Sequence, residues 1–147
     1  MNVAEINRQN LAVFQRLIEA GFNAGDTEAL PHLFTEGFVE HQDDGQGVPS
    51  GLEAVTAKIN GLHAAFPDFS LTIEDVVAEG DQVWARLRGH GTNTGPFIGP
   101  PTGKEMSIDV IDICRFSNGR IAEHWGVADR LASLQQIGRM PQSSGAS

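Results

Sequence analysis

Apolar positions change period partway along the chain. From Val3 to Phe22 they fall at Val3, Ile6, Val13, Phe14, Leu17, Ile18 and Phe22, a helical spacing that ends at Ala24-Gly25-Asp26. A short second helix over about Thr27 to Phe34 carries Leu30, Leu33 and Phe34, with Pro31 tolerable near its start. Phe38 to His41 reads as a short strand, and Gln42 to Pro49 as a Gly- and Asp-rich loop. Ser50 and Glu53 make a capping box ahead of a third helix. Its stripe of Leu52, Val55, Ile59, Leu62 and Phe66 marks one buried face, and Pro67-Asp68 stops it.

Beyond Pro67 the period becomes two. Phe69 to Ala78 and Gln82 to Asn93 read as strands joined at Glu79-Gly80-Asp81, followed by a Gly/Pro loop from Thr94 to Gly103. The segment SIDVIDICRFSNGRIAEHWGVAD (107–129) has two alternating runs around Asn118-Gly119, the signature of a type I′ hairpin turn. In a regular ladder Ser117 faces Arg120. Phe116, Cys114, Asp112, Val110 and Ile108 then lie opposite Ile121, Glu123, Trp125, Val127 and Asp129, all on one face. Asp129 also suits the N-cap of a closing helix with Leu131, Leu134 and Ile137 in its stripe and Gly138 at its end. Helices followed by strands in hairpin order predict an α+β fold, an antiparallel meander sheet with the helices on one face. A single domain over residues 1–140 is expected, with a flexible polar tail over 141–147.

Charge and composition narrow the function. A net charge of −9 argues against a nucleic acid or an anionic membrane as partner. No apolar run approaches the roughly 20 residues that span a bilayer, and the start MNVAEINRQN has no signal-peptide pattern, so the cytoplasm is the expected compartment. The lone cysteine, Cys114, reads as a buried small hydrophobe. No H-x-x-x-H, C-x-x-C or dense His/Asp cluster points to a metal, and no glycine run opens a helix as a phosphate cradle would.

The hairpin face carries the candidate chemistry. Asp112 sits mid-strand between Val110 and Cys114, with Trp125 expected across from it as a large apolar wall. A carboxylate among apolar neighbours loses solvation, which raises its pKa towards that of a useful general base; the alternative is a structural acid held by an amide, an arginine or water. Glu123 and Asp129 share the face nearer the strand ends, Glu123 within reach of Arg115 or Arg120. His124 is expected on the opposite face, where Asp109, Ile111, Ile113, His124 and Ala128 form a row suited to a homodimer interface. His41, ahead of the Asp-rich loop, is a candidate mouth residue or a plain loop histidine. His63 reads as a helix-surface residue, and Arg86 and Arg88 as salt-bridge partners of Glu74 or Asp75 or as carboxylate binders.

Several segments taken in order resemble the SnoaL-like polyketide cyclases and the wider ester cyclase group: FPDFSLTIEDVVAEGDQVWARLRGHGTNTGPFIGPPTG, then IDICRFSNGRIAEHWGVADRL, then LQQIG, together spanning about His41 to Gly138. Asn93 stands where many relatives have histidine, and Gly126 where many have an acid after E-H-W. The resemblance implies a nuclear transport factor 2-like cone, a deep apolar pocket between helices and sheet, homodimers packed through the sheet, and no cofactor. It also implies an aspartate that deprotonates a hydrophobic carbonyl substrate for intramolecular aldol ring closure. The expected catalytic residues are Asp112, Asp129 and His41; Trp125, Asn93, Phe97, Glu123 and Phe66 are expected to bind substrate, with no metal. With no tyrosine in the chain, the tyrosine oxyanion hole of ketosteroid isomerases cannot be reproduced. The rival is a non-catalytic dimeric module that holds an apolar ligand or partner.

Overall fold

The computed structural model describes residues 1–42 and 51–141. Helix α1 (Val3–Arg16) starts at Asn2, whose side chain caps the Glu5 amide at 2.9 Å, and runs into a π-helical turn, Leu17–Asn23. The wider turn places Asn23 against the first strand of the next layer, where its side chain bonds both the N–H and the C=O of Leu71. A 3₁₀ turn (Thr27–Ala29) leads into α2 (Leu30–Leu33), and β1 (Phe34–Glu40) follows without a break. The strand expected at residues 38–41 therefore starts four residues earlier. Helix α3 (Leu52–Ala65) begins after Gly51; Ser50 of the expected capping box and most of the expected loop at residues 42–49 lie outside the described residues. So does the expected tail beyond Pro141.

Strands β2 (Ser70–Glu79), β3 (Gln82–Thr92), β4 (Glu105–Ser117) and β5 (Arg120–Ala128) form the antiparallel meander that the period-two runs predict, and α4 (Arg130–Gln136) closes the chain. The sheet is curved and its order is β1-β5-β4-β3-β2. It is not wholly antiparallel. β1 adds parallel to β5, with Glu40 beside His124, because α3 and the meander lie between the two strands in sequence. That edge pairing brings the end of β1 to the middle of the hairpin.

The helices cover one sheet face. Val83, Ala85, Leu87, Met106, Ile108, Cys114, Phe116 and Ile121 on that face pack against Phe14, Ile18, Leu30, Val55, Ile59 and Phe66 from the helices, all nearly excluded from water. His63 is half-buried rather than on the surface. Its Nε2–H donates to the Phe22 carbonyl at 2.6 Å, one of the acceptors at the end of the π turn. The other sheet face is not covered by helices and carries Val77, Trp84, Ile111 and Val127, all exposed.

Candidate active site

The β4–β5 turn forms as the sequence predicts: Asn118 (φ 50°) and Gly119 (φ 77°) both take the left-handed conformation of a type I′ turn, and Ser117 pairs with Arg120. Phe116 pairs with Ile121. The next pair is Arg115 with Glu123, so Ala122 is an extra residue in β5, a β-bulge. Because side chains alternate, one inserted residue exchanges the faces of everything that follows it on that strand. Asp112 therefore lies across from Gly126, and Trp125 pairs with Ile113 on the other face. The expected pairing of Asp112 with Trp125 is wrong by one residue, and so are those of Glu123 with Cys114 and of Asp129 with Ile108. His124 moves the opposite way, from the expected outer row to the inner face beside Cys114.

There it joins two acids. His124 Nδ1 lies 2.6 Å from Glu40 Oε1 and Nε2 lies 2.8 Å from Asp112 Oδ1. β5 runs between β1 and β4, so an imidazole on it meets a carboxylate on each side. The side chains of Glu40 and Asp112 are 5% and 9% exposed and that of His124 12%. Burial alone would push the imidazole pKa down. The hydrogen bonds to Asp112 and Glu40, reinforced by their charges, overcome this and raise it from 6.5 to about 9. With a pKa of about 9, His124 is an imidazolium at neutral pH, held between Glu40 and Asp112. With both nitrogens carrying protons and both bonded, the ring has no free lone pair and no free N–H. Its role is to hold the acids, and Asp112 Oδ2 takes no bond from it. The Gln42 backbone N–H also donates to Glu40 Oε1 at 2.9 Å.

Cys114, behind this cluster, is wholly buried. Burial, with the charges of Asp112 and Glu40 added, pushes its thiol well above the usual range, in keeping with the inert reading of the sequence.

The remaining expected site residues fall in three other places. Trp125, Glu123 and His41 meet on the outer face: the His41 ring stacks on Trp125 with centroids 4.7 Å apart, and His41 Nε2 is 3.5 Å from Glu123 Oε1. Arg115 Nε donates to Glu123 Oε2 at 2.7 Å, and this bond holds the Glu123 carboxyl below its usual range. Asp129 caps α4, accepting from the Ala132 amide at 3.1 Å. Asn93 is fully buried in the 93–104 loop. Its Nδ2 donates to the carbonyls of Ala65 and Gly95, and its Oδ1 accepts from the amide and hydroxyl of Thr102, which occupies the carboxamide with bonds to the loop and to the end of α3. Phe66 is buried and Phe97 half-buried, their rings 5.9 Å apart at the mouth of that same loop. Arg86 pairs with Asp75 at 2.6 Å, one of the two partners read from sequence, whereas Arg88 pairs with Asp109 at 3.0 Å.

Glu40 and His124 are the members of the cluster that sequence reasoning missed. A bulge of one alanine has no signature in the hydrophobic pattern, and a parallel edge pairing across 80-odd residues has none either. One local sign existed. Gly126, an isolated glycine in a strand, marks a bulge or a close approach. A Cβ on it would lie 2.7 Å from Asp112 Oδ1, 2.8 Å from His124 Cε1 and 2.6 Å from Gln42 Oε1.

A curved sheet wrapped around helices, with ionisable groups on its covered face, is the nuclear transport factor 2-like cone. Comparison with known proteins takes this further. The profile of the SnoaL-like polyketide cyclases matches residues 12–137, and the chain belongs to that family. Among curated relatives, aklanonic acid methyl ester cyclase DnrD of Streptomyces peucetius is 30% identical over 132 residues, covering 84% of this chain and 87% of that protein. Nogalonic acid methyl ester cyclase of Streptomyces nogalater is 25% identical over 122 residues, covering 81% and 90%. Among solved structures, one assigned as a SnoaL-like polyketide cyclase from Jannaschia sp. CCS1 superposes with a TM-score of 0.82 at 28% identity, covering 96% of this chain and 99% of that one. TsrD from Streptomyces laurentii gives 0.76 at 33%, covering 88% and 97%. The chain is an enzyme of the cyclase or isomerase type. Among the described residues no helix is long and apolar enough to cross a membrane.

Proposed function

We propose that the protein is a cofactor-independent cyclase of a polyketide methyl ester, with Asp112 as its general base. The observation that carries this reading is the clamp on Asp112. Imidazolium His124 holds Oδ1 at 2.8 Å and orients the carboxylate on the covered sheet face, which leaves Oδ2 to take a proton from the carbon next to the substrate's carbonyl. The electron pair passes into the carbonyl as an enolate, the carbon adds to a second carbonyl of the same molecule, and the new alkoxide takes the proton back from Asp112. The base ends as it began, so no cofactor is consumed. Acid–base catalysis of this kind is worth about 10²–10⁴-fold, and the remainder comes from holding the α-carbon against the second carbonyl carbon. The curated relatives are named as cyclases of aklanonic and nogalonic acid methyl esters, which makes a polyketide acid methyl ester the substrate class to test.

The same reading includes a homodimer packed through the outer sheet face, in a revised form. The row is Ile111, Ile113, Trp125, Val127 and Trp84, with Arg86–Asp75, Arg88–Asp109 and Arg115–Glu123 ion pairs around it; His124 and Ala128 are on the inner face and do not belong to it. Trp84 is 50% and Val127 71% exposed, a large apolar area for an open sheet face.

Turnover of aklanonic acid methyl ester in D₂O tests the mechanism. Wild-type protein should exchange the acidic α-proton and close the ring, and Asp112→Asn should do neither while still binding the ester. Exchange that continues in Asp112→Asn would remove Asp112 as the base.

A further inference from the structure

The buried face of α1 turns polar towards the start of the helix. Val3 and Ile6, apolar in the sequence stripe, are exposed, whereas Asn10, one turn before Phe14 on the same face, is only 3% exposed. Asn10 lines a cavity of about 420 Å³ between the start of α1 and the ends of two hairpins, together with Ile6, Gln9, Asp81, Phe116 and Asn118. Among the described residues neither carboxamide atom of Asn10 has a hydrogen-bond partner, and neither is sealed off, so the head group opens into the cavity. Buried polar groups are paired as a rule. A leucine here would close this end of the core; the carboxamide instead offers the cavity an acceptor and two donors. The surrounding groups are held from the backbone. The Phe116 N–H donates to the Asp81 carbonyl at 2.7 Å, which fixes the β2–β3 turn against the end of β4. The Gln9 carboxamide packs across Gly119 of the β4–β5 turn, where a Cβ would lie 2.6 Å from its Nε2. Asp112 is not in this lining, and Phe116 stands about 13 Å from it along β4, at about 3.3 Å per residue.

We propose that this cavity is a second binding site, for a neutral polyhydroxylated ring such as a pyranose sugar. The polar lining decides the class. Asn10, Gln9 and Asn118 each supply a carboxamide and Asp81 a carboxylate, and no lysine or arginine is among the lining residues. An anion would meet Asp81 with no side-chain cation to receive it, since Arg115, whose charge reaches Asp81, is bonded to Glu123 at 2.7 Å. A compact cation would have one exposed carboxylate as its partner, and exposed ion pairs contribute little. Hydroxyl groups match the lining better. Each both donates and accepts, as a carboxamide does, so neighbouring hydroxyls can pair with the amide N–H and C=O groups and donate to Asp81. Asn10 at depth reads one hydroxyl, and the exposed Gln9, Asp81 and Asn118 hold others at the rim. Phe116 and Ile6 give an apolar wall for the C–H face of the ring. The volume falls in the range of small-molecule sites, roughly 300–1,000 Å³. The site stands apart from the reading of Asp112 and does not depend on it.

The experiment titrates the ¹⁵N-labelled full chain with methyl α-D-glucopyranoside and methyl β-D-galactopyranoside, and separately with benzylamine as a cationic control. At least one glycoside should shift the Asn10 side-chain NH₂ and the Asn118 and Gly119 amide signals to saturation, with no dependence on NaCl, while the His124 ring signals stay in place. Asn10→Leu should lower that affinity at least about tenfold, the effect of leaving a ligand hydroxyl unpaired. Its Tm should equal or exceed wild type, because an unpaired buried carboxamide has become an apolar side chain, and turnover of the ester should be unchanged. The rim variant Gln9→Ala with Asp81→Ala replaces only exposed side chains, so it gives a folded protein even where Asn10→Leu does not, and it should weaken binding by a similar factor. Undiminished affinity in the rim variant, or in folded Asn10→Leu, would place the sugar elsewhere and overturn the proposal. A wild-type protein whose Asn10 signal moves with neither glycoside would overturn it too. Salt-sensitive binding of benzylamine in their stead would make the cavity a cation site.

Discussion

His124 Nε2 stands 2.8 Å from Asp112 Oδ1, yet the two residues are not cross-strand partners: Asp112 pairs with Gly126, and the imidazole reaches it diagonally across a position that has no side chain. Two local features lie beside the contact, the unpaired residue Ala122 and the missing side chain at 126. Each can be altered separately.

Deleting Ala122 removes the residue that has no partner on β4 and leaves the later pairs as they are, His124 opposite Cys114 and Gly126 opposite Asp112. The buried cluster and cyclisation should therefore survive the deletion, with a fall in stability of about 1 kcal/mol for the lost burial of Ala122. Urea denaturation and turnover of the ester check both; a deletion variant without activity would show that Ala122 does more than set the register.

Replacing His124 by Gln keeps a donor but removes the charge, so Glu40 and Asp112 face one another in a buried site with no cation between them. Breaking a buried pair from one side costs about 3–5 kcal/mol. The double replacement His124→Gln with Glu40→Gln should recover part of that loss. Chemical denaturation of the single and double variants measures the coupling, and additive effects would contradict a shared network.

The pH dependence follows from His124. Its pKa in the folded protein, about 9, lies above the 6.5 of a free imidazole, so folding favours the protonated form. The associated stability is fully present below pH about 6.5 and is lost as the pH rises through 9, by on the order of 3 kcal/mol. The urea midpoint should therefore fall between pH 7 and 9.5, and activity should fall above pH 9 as the clamp on Asp112 loses its charge. Imidazole ¹⁵N shifts should show both nitrogens protonated at pH 7.5; a titration near 6.5 would mean that the two carboxylates do not hold the ring.

Cys114 offers a check on burial. Its thiol, shielded from water and pushed up by burial and by the neighbouring carboxylates, should resist a thiol reagent in the native protein at pH 8 and react at once in urea. Fast native labelling would mean that the covered face opens.

On the outer face, Ile111→Lys should convert the proposed dimer into a monomer while sparing the inner cluster, because Ile111 points away from Asp112. Light scattering at micromolar concentration gives the mass. A monomeric wild-type protein would remove the dimer.

The elements were legible from sequence because their causes are local. Helical stripes, the Asn118-Gly119 turn, the strand alternation and the Asp129 cap all rest on contacts within a few residues, and each appears where the pattern predicts. Asp112 on the covered face was legible for the same reason, since its neighbours at 110 and 114 are apolar and no bulge interrupts β4 against β3. Its partners were not. Glu40 arrives through a parallel edge pairing that no local pattern encodes, and His124 through a single extra residue that exchanges the two faces of β5. The sequence by itself determined most of the helices and strands, the burial of Asp112, and the family resemblance. Only the tertiary structure decided what that acid touches, because a strand has two faces related by one residue and the choice between them is made by packing against the rest of the sheet.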